Sequence, residues 1–384
     1  MTMLPLHGLT VLEFSQYLSG PSAGLRLADL GAKVIKIERP VSGDACRHLA
    51  IGDQWVDESS LLFHTINRNK QSFAADLKDK KDLALVKKLI QNSDVMTHNF
   101  RPGVMEKIGL EYESVKKLNP KMIYAEITGY GKEGPWKNKP GQDLLIQSLS
   151  GLTFTTGNGN SDPVPMGLAV ADMICGAQLV QGILAALVKS QNTGEGAHIE
   201  VSLMESILDF QFEFLTTWFA SGCLPHRSHI SNAHSLLGAP YGIYQTADGY
   251  IALAMMPIHK LRAAINCESL AEYFEEEIFS KRDEIKKIIA SFLVKNTTEH
   301  WLEKLIGLDL WAMPVMNWDE LTKHEGYRAL DMEQLVDTDG GQAITTTRCP
   351  IRIDENILKS KIGAPKLGQH NQQILGELKE KIHY

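Results

Sequence analysis

In the N-terminal half of the chain, short apolar runs alternate with amphipathic stretches, and the spacing predicts a repeated strand–helix–strand order. Residues 11–14 and 33–38 read as strands, with a helix over 23–30, opened by Gly20-Pro21, between them. Leu85, Val86 and Leu89 share one face of a helix over 82–91; strands follow at 94–100 and, after Asn119-Pro120, at 122–128. A long helix over 171–189, whose extension stops at Gly194-Glu195-Gly196, precedes an alternating strand at 198–203. Such βαβ units predict an α/β fold with a doubly wound parallel sheet, whose ligands approach the carboxyl ends of the strands.

The pattern then changes. Residues 221–235 carry Cys223, Pro225 and three histidines without regular periodicity, which suggests a linker or an active-site loop. Residues 241–255, with Asp248-Gly249 between two strand-like runs, read as a hairpin, and acidic helices follow between 268 and 304. Three segments are therefore expected: a large Rossmann-like domain over 1–220, a smaller α+β domain over 221–330, and a return to the large domain over 331–384.

Composition narrows the function class. The chain is 43% hydrophobic and 22% charged, as expected of a globular enzyme and not of a disordered chain. Its most apolar stretches, 182–188 and 250–258, fall short of the roughly 20 residues that cross a membrane. A net charge of −7 speaks against nucleic acid as a partner. Five cysteines without a Cys-x-x-Cys pair are expected to stay free thiols, and residues 1–8 lack the pattern of a secretory leader, so cytoplasmic residence is expected.

The most informative position is Asp143. It stands between the glycine-rich stretch 127–135 and the apolar run that begins at Leu144, which is unusual for a carboxylate. By spacing alone, an Asp after Pro140-Gly141 is a helix N-cap as readily as a functional group. A dinucleotide-binding oxidoreductase would want Gly-x-Gly-x-x-Gly after the first strand, whereas this chain has Gly20-Pro21-Ser22-Ala23-Gly24. His226, His229 and His234 lack the carboxylate or cysteine that would complete a zinc site, so no metal is expected.

Several motifs, taken in order, resemble class III CoA-transferases, the family that also contains alpha-methylacyl-CoA racemases. They are Glu13-Phe14, Gly20-Pro21, the run from Leu30 to Pro40, Asn67-Arg68-Asn69-Lys70, Asp76-Leu77-Lys78, Asn99-Phe100-Arg101-Pro102-Gly103, Ile127-Thr128-Gly129-Tyr130-Gly131, and Asp143 with Ser150-Gly151. The resemblance extends to Met313-Pro314-Val315-Met316 in the small domain and to residues 363–370 in the returning segment. It implies coenzyme A, carried as an acyl-CoA substrate, and an interlocked homodimer.

The resemblance also implies that Asp143 is the nucleophile in moving CoA from an acyl-CoA thioester to a free carboxylic acid, expected to be a small di- or hydroxy-carboxylate. The route runs through an aspartyl anhydride and an aspartyl-CoA thioester. Each tetrahedral intermediate needs donors for its oxyanion, and amides near Gly141 or Gly238 and the Gln16 side chain are candidates. Arg39 matches the family's adenine-proximal arginine, Lys107 stands where some members have arginine, and Ala75 to Lys78, Asn99 with Phe100 and Arg101, and Gly129 with Tyr130 fall on its CoA-contacting segments. The best-known transferases have a glutamine just before Gly-Pro, where this chain has Leu18-Ser19.

Arg47, His48 or Arg227 is expected to hold the second carboxylate of a dicarboxylic substrate. A racemase would carry histidine where Gln142 stands, and an amide does not shuttle protons, although Asp172 matches the racemases' later Asp. Transfer is thus expected over racemisation, and over a CoA-binding protein without chemistry.

Overall fold

The structure is a computed structural model that describes residues 3–382; residues 1–2 and 383–384, the ends of the two expected outer segments, lie outside it. Six strands, β1 (Thr10–Glu13), β2 (Lys33–Glu38), β3 (Gln71–Ala74), β4 (Val95–His98), β5 (Ile123–Thr128) and β6 (Ala197–Ser202), form one sheet in the order β3-β2-β1-β4-β5-β6. Every pairing is parallel. The chain winds outward from β1 to β3, then from β4 outward the other way, so the direction reverses between β1 and β4. This is the parallel α/β sheet that the βαβ pattern predicts. The strand that the pattern omits is β3, a short run flanked by the polar residues Lys70 and Asp76.

Helix α1 (Ser19–Asp29) joins β1 to β2, α2 (Leu61–Asn67) precedes β3, and α3 (Lys80–Gln91) leads into β4. Two short helices, α4 (Val104–Ile108) and α5 (Tyr112–Leu118), lie between β4 and β5; α6 (Asp143–Leu149) and α7 (Val170–Thr193) lie between β5 and β6, which α8 (Leu203–Phe210) follows. Helix α1 starts earlier than the predicted 23 because Pro21 falls in its first turn, where a missing N–H is tolerated. At 24 residues α7 is long and apolar enough to cross a membrane, beyond the short apolar stretches apparent in the sequence. It is nevertheless the crossover between two neighbouring strands of one sheet, and it packs on α1, α8, β5 and β6.

The sheet face toward α3 is closed by Leu12, Ile35, Phe73, Val86, Ile90 and Met96, with Ile374 and Leu378 of the C-terminal helix (Asn371–Ile382). That helix is stitched to the β3 edge: Asn371 accepts from Ala74 N (2.9 Å) and donates to Ala74 O (3.0 Å), and Gly368 N donates to Ser72 Oγ (2.9 Å).

Beneath the carboxyl ends of β1 and β2 lies a buried ionic cluster. Lys70 Nζ reaches Glu13 at 2.9 and 3.0 Å, Pro21 O at 2.8 Å and Asn67 Oδ1 at 2.9 Å. Lys36 Nζ lies 3.0 Å from Glu13, 2.7 Å from Ser15 O and 2.8 Å from Asp44. Arg47 clamps Glu38 with two bonds of 2.8 Å and lies over the Phe63 ring. Burial works against the Lys36 charge, but Glu13, Asp44 and Glu38 raise its pKa above the usual range; burial drives Lys70 down to about 8, against the pull of Glu13. Gly24 belongs to this cluster by necessity, since a Cβ there would lie 1.7 Å from Glu13 Oε2.

The chain divides into two compact units, the first of residues 1–146, 169–210 and 331–384, the second of 147–168 and 211–330. Residues 147–168 group with the second unit, instead of with the large domain expected over 1–220, because their polar groups are satisfied there. Gln211 Nε2 donates to Ser150 O (3.3 Å), and Gly159 N donates to Ser228 O (2.8 Å). The second unit has an antiparallel sheet of β7 (Gly242–Gln245), β8 (Tyr250–Leu253) and β9 (Ala312–Pro314), with β8 central, which contains the predicted hairpin. Its helices close a core of Tyr244, Ile251, Leu261, Ile285, Ile289 and Trp301.

Removing one partner of a buried ion pair strands the other. Lys70→Ala is therefore expected to lower the unfolding free energy by about 3 kcal/mol, measured by chemical denaturation.

Candidate active site

The strand order reverses between β1 and β4, and the two loops that leave these strands are tied together there. Gln16 N donates to Asn99 Oδ1 (2.8 Å) and Asn99 Nδ2 donates to Gln16 O (2.7 Å). Phe14 N adds a bond to Thr97 O (2.8 Å). The next residue, Tyr17, adopts the left-handed region at φ 63°, and its N–H donates to Asp44 Oδ1 (3.1 Å). Asp44 in turn faces Lys36, so the ionic cluster below the sheet end fixes the loop above it.

Asp143 arrives at this end of the sheet by a folded-back loop. Gly129, directly after β5, and Gly141 touch backbone to backbone: a Cβ on Gly129 would lie 2.8 Å from Gly141 Cα, and one on Gly141 would lie 2.6 Å from Gly129 Cα. Tyr130 Oη donates to Pro140 O (3.2 Å) across the same neck. The pinch delivers Asp143, half-buried, as the first residue of α6.

Its carboxylate serves a different helix. Oδ1 accepts from Ala171 N (2.8 Å) and Asp172 N (3.2 Å), two amides of the first turn of α7. The N-cap alternative for Asp143 thus has substance, but the capped helix begins far along the chain, and α6 instead starts on the Gln142 carbonyl, which accepts from Leu145 and Ile146. Asp172 stands beside Asp143. Burial first, and the neighbouring Asp143 charge second, raise Asp172 to about 6, while a hydrogen bond with Ser19 at the start of α1 opposes the shift. Sequence reasoning sought oxyanion donors near Gly141, Gly238 and Gln16; the amides of Ala171 and Asp172, which donate to Asp143 Oδ1, were not among the candidates. No local motif announces that the acid will meet an amide 28 residues further along the chain. Gly238 lies in the second unit with its backbone against Ile278 O, 2.8 Å from where a Cβ would stand.

The residues matched to CoA contacts follow the carboxyl ends of four strands, two on each side of β1. Arg39 follows β2, Ala75 and Lys78 follow β3, Asn99, Phe100 and Arg101 follow β4, and Gly129 and Tyr130 follow β5. Arg39, Lys78 and Arg101 are exposed, as is Lys107 on α4. Ala75 is buried, with its N–H on Glu38 O (2.9 Å), and Phe100 packs partly into the core beneath. The Asn99 side chain makes two bonds with the Gln16 backbone and so straps the two loops together.

The arginines proposed for a second substrate carboxylate are committed elsewhere. Arg47 is buried on Glu38 and Pro365 O (3.0 Å). Arg227 donates to the carbonyls of Thr156 (2.6 Å), Ser161 (2.6 Å) and Asp162 (3.3 Å), which pins a loop of the second unit. His48 is exposed, with Nε2 3.1 Å from Ser42 O. The motif Asn67-Arg68-Asn69-Lys70 is structural in the same sense. Arg68 makes a bidentate pair with Asp29 at 2.6 and 2.8 Å, and Asn69 bonds Ala28 O at 3.1 Å.

Of the three histidines considered for zinc, His234 meets Glu213 through its ring, while the His229 N–H donates to Asp283 and the His226 carbonyl accepts from Arg282. Glu126, His198 and Glu200 bring potential metal-ligating atoms within 4.8 Å. The Lys132 ammonium already bridges the two glutamates at 2.6 and 2.7 Å, so the negative charge there has a counter-ion.

A carboxyl group with a raised folded-state pKa destabilises the fold progressively as pH rises from its unfolded value to its folded one. Asp172→Asn is therefore expected to raise the melting temperature relative to the unaltered protein above about pH 6, with the gain shrinking to nothing near pH 4, in thermal scans across that range.

Comparison with known proteins agrees with this geometry. The family model for CoA-transferase family III matches residues 6–371. A succinate–glutarate CoA-transferase of Agrobacterium fabrum is 34% identical, covering 97% of this chain and 96% of its own. An acetyl-CoA:oxalate CoA-transferase of Acetobacter aceti is 34% identical over 78% of this chain and 77% of its own. The crystal structure of a CAIB/BAIF family protein from Brucella suis superposes with a TM-score of 0.83 at 31% identity, covering 98% of this chain and all of that one (100%). With a parallel sheet reversed at β1 and β4, an acid at its carboxyl end and a family match across nearly its whole length, this chain belongs to CoA-transferase family III.

Proposed function

We propose that this enzyme moves CoA from an acyl-CoA thioester to a free carboxylic acid, with Asp143 as the nucleophile. The observation that carries the reading is the Asp143 carboxylate held by one oxygen on two amides at the start of α7, at the carboxyl end of a parallel sheet. The other oxygen, Oδ2, attacks the thioester carbonyl, the C–S bond breaks, and CoA leaves as thiolate from a mixed aspartyl anhydride. Thiolate then attacks Cγ of Asp143, the anhydride C–O bond breaks, and the donor acid departs as carboxylate, which leaves an aspartyl-CoA thioester.

The acceptor carboxylate attacks Cγ in turn and expels thiolate. Thiolate attacks the acceptor acyl carbonyl and regenerates the Asp143 carboxylate with the new thioester. In each attack on Cγ, negative charge develops on Oδ1, and the amides of Ala171 and Asp172 are already aimed at it. Exposed Arg39, Lys78, Arg101 and Lys107 beyond the strand ends suit the phosphates of CoA; Lys107 does so as a point charge without arginine's fork.

Relatives named for succinate, glutarate and oxalate support a small dicarboxylic acid as acceptor. Gln142 in place of a proton-carrying histidine favours transfer over racemisation. We further propose a homodimer, interlocked as the family resemblance implies. Support comes from apolar side chains left in solvent, among them Met173 and Val188 on α7 and, in the second unit, Trp311, Met313 and Trp318. Five free cysteines, four of them buried, suit a reducing cytoplasm.

Asp143→Asn keeps the oxygen that accepts from α7 and removes the nucleophile. It is expected to melt no lower than the unaltered protein and still bind CoA, yet to form no new CoA thioester when succinyl-CoA is mixed with a panel of carboxylates and analysed by mass spectrometry. Asp143→Ala should lose both the chemistry and about 1 kcal/mol of stability. Turnover by the Asn variant would reduce Asp143 to a cap.

A further inference from the structure

We infer that Tyr17 is a specificity-determining residue, whose hydroxyl donates to the second carboxylate of the acid that accepts CoA. The inference rests on the transferase reading and names the group that selects its acceptor. Its first support is backbone strain. A tyrosine in the left-handed region is disfavoured, and a turn that needed only that shape would be served by glycine or asparagine. The conformation is over-determined instead: Gln16 is strapped to Asn99 on one side, the Tyr17 N–H is held by Asp44, and Ser15 O is held by Lys36. Strain retained by so many anchors marks a position kept for its side chain.

Location is the second support. Tyr17 sits in the loop at the reversal of strand order, where ligands of such sheets bind. Two residues on, Ser19 hydrogen-bonds Asp172, whose own N–H holds Asp143. The loop that presents Tyr17 is thus wired to the nucleophile. The side chain itself is 54% exposed, an aromatic ring left in water at the strand ends, and its hydroxyl meets no hydrogen-bonding partner among the described residues.

The third support is that both arginines among the earlier candidates are committed, which leaves only His48, exposed with Nε2 near Ser42 O. Arg47 and Arg227 are consumed by Glu38 and by backbone carbonyls. Recognition by a neutral donor suits a site that must also release its product, because a phenol contributes a hydrogen bond without a full opposite charge.

The test compares Tyr17→Phe with the unaltered protein. Acceptors would be glutarate and its monocarboxylate counterpart pentanoate, with succinyl-CoA as donor, and kcat and KM measured for each. The ratio of kcat/KM for glutarate over pentanoate is expected to fall about tenfold in Tyr17→Phe, with the change carried by KM for glutarate. Tyr17→Gly, which relieves the strain, is expected to melt no lower than the unaltered protein and to lose the same preference. An unchanged ratio in Tyr17→Phe, or an equal fall in kcat for both acids, would overturn the assignment and leave the transferase reading intact. Absence of any new thioester from the unaltered protein would overturn both.

Discussion

Glu13 is the charge on which the architecture turns. It ends β1, it is fully buried, and two lysines from different segments converge on it, one from β2 and one from the turn before β3. An ionised carboxylate in that position is tolerable only with partners and hydrogen bonds that replace water. The consequences extend outward. Lys36 also binds Ser15 O and Asp44, and Asp44 binds the Tyr17 amide, so the loop after β1 is fixed from beneath. Lys70 also binds Pro21 O, which ties the start of α1 to the turn before β3. Gly24 leaves room for the whole arrangement. A hydrophobic core could hold the strands together, but it would not fix the direction of three loops at the sheet's functional end.

The same end of the sheet shows how the two readings of Asp143 are compatible. Cap and nucleophile look like rival accounts because an isolated acid before an apolar run suits either. In the fold the capping bonds fall on Oδ1, and the proposed attack is assigned to the other oxygen of the same group. The amides of α7 satisfy Oδ1 as they would any capping acceptor, and the same donors become useful when that oxygen gains charge in the proposed transfer. The Gly129–Gly141 contact makes this possible: it closes the intervening loop at its neck, so the acid meets a helix that begins after a further long connection.

Much of the sheet was legible in the chain. Four of the six strands and the long crossover helix follow from apolar runs broken by Gly, Pro and Asn, as expected of parallel strands buried in a sheet, and the edge strand β6, half-exposed, follows from its alternation. The short β3 escaped because polar neighbours crowd it, and so did the second unit's claim on residues 147–168, which rests on side-chain bonds to residues far along the chain. At the site, the sequence singled out Asp143, which the fold sets at the carboxyl end of the sheet with Oδ1 on two α7 amides, and the other side-chain assignments divided. Arg39 and Lys78 are exposed as expected of ligand-binding cations, whereas Arg47 and Arg227 are spent on internal acceptors. No periodicity distinguishes these cases, since an arginine's fate depends on whether a carboxylate such as Glu38 is buried beside it. Asn99 shows the same limit: its position after β4 is right for a ligand contact, and its amide is occupied by the neighbouring loop.

Asp172 adds a second acid where one would seem to suffice, and its charge state has a direction. Burial and Asp143 together lift it to about 6, so near neutral pH it is largely ionised and repels the charge on Asp143. That repulsion acts only while Asp143 is a free carboxylate. Once Asp143 is esterified in an anhydride or thioester, its charge is gone and the penalty on Asp172 is relieved. In the proposed cycle, Asp172 therefore raises the free enzyme relative to its covalent intermediates, while the α7 amides lower the oxyanions between them. The two effects act at opposite ends of the same step, and both come from one short stretch of chain, Ala171 and Asp172, at the first turn of a helix.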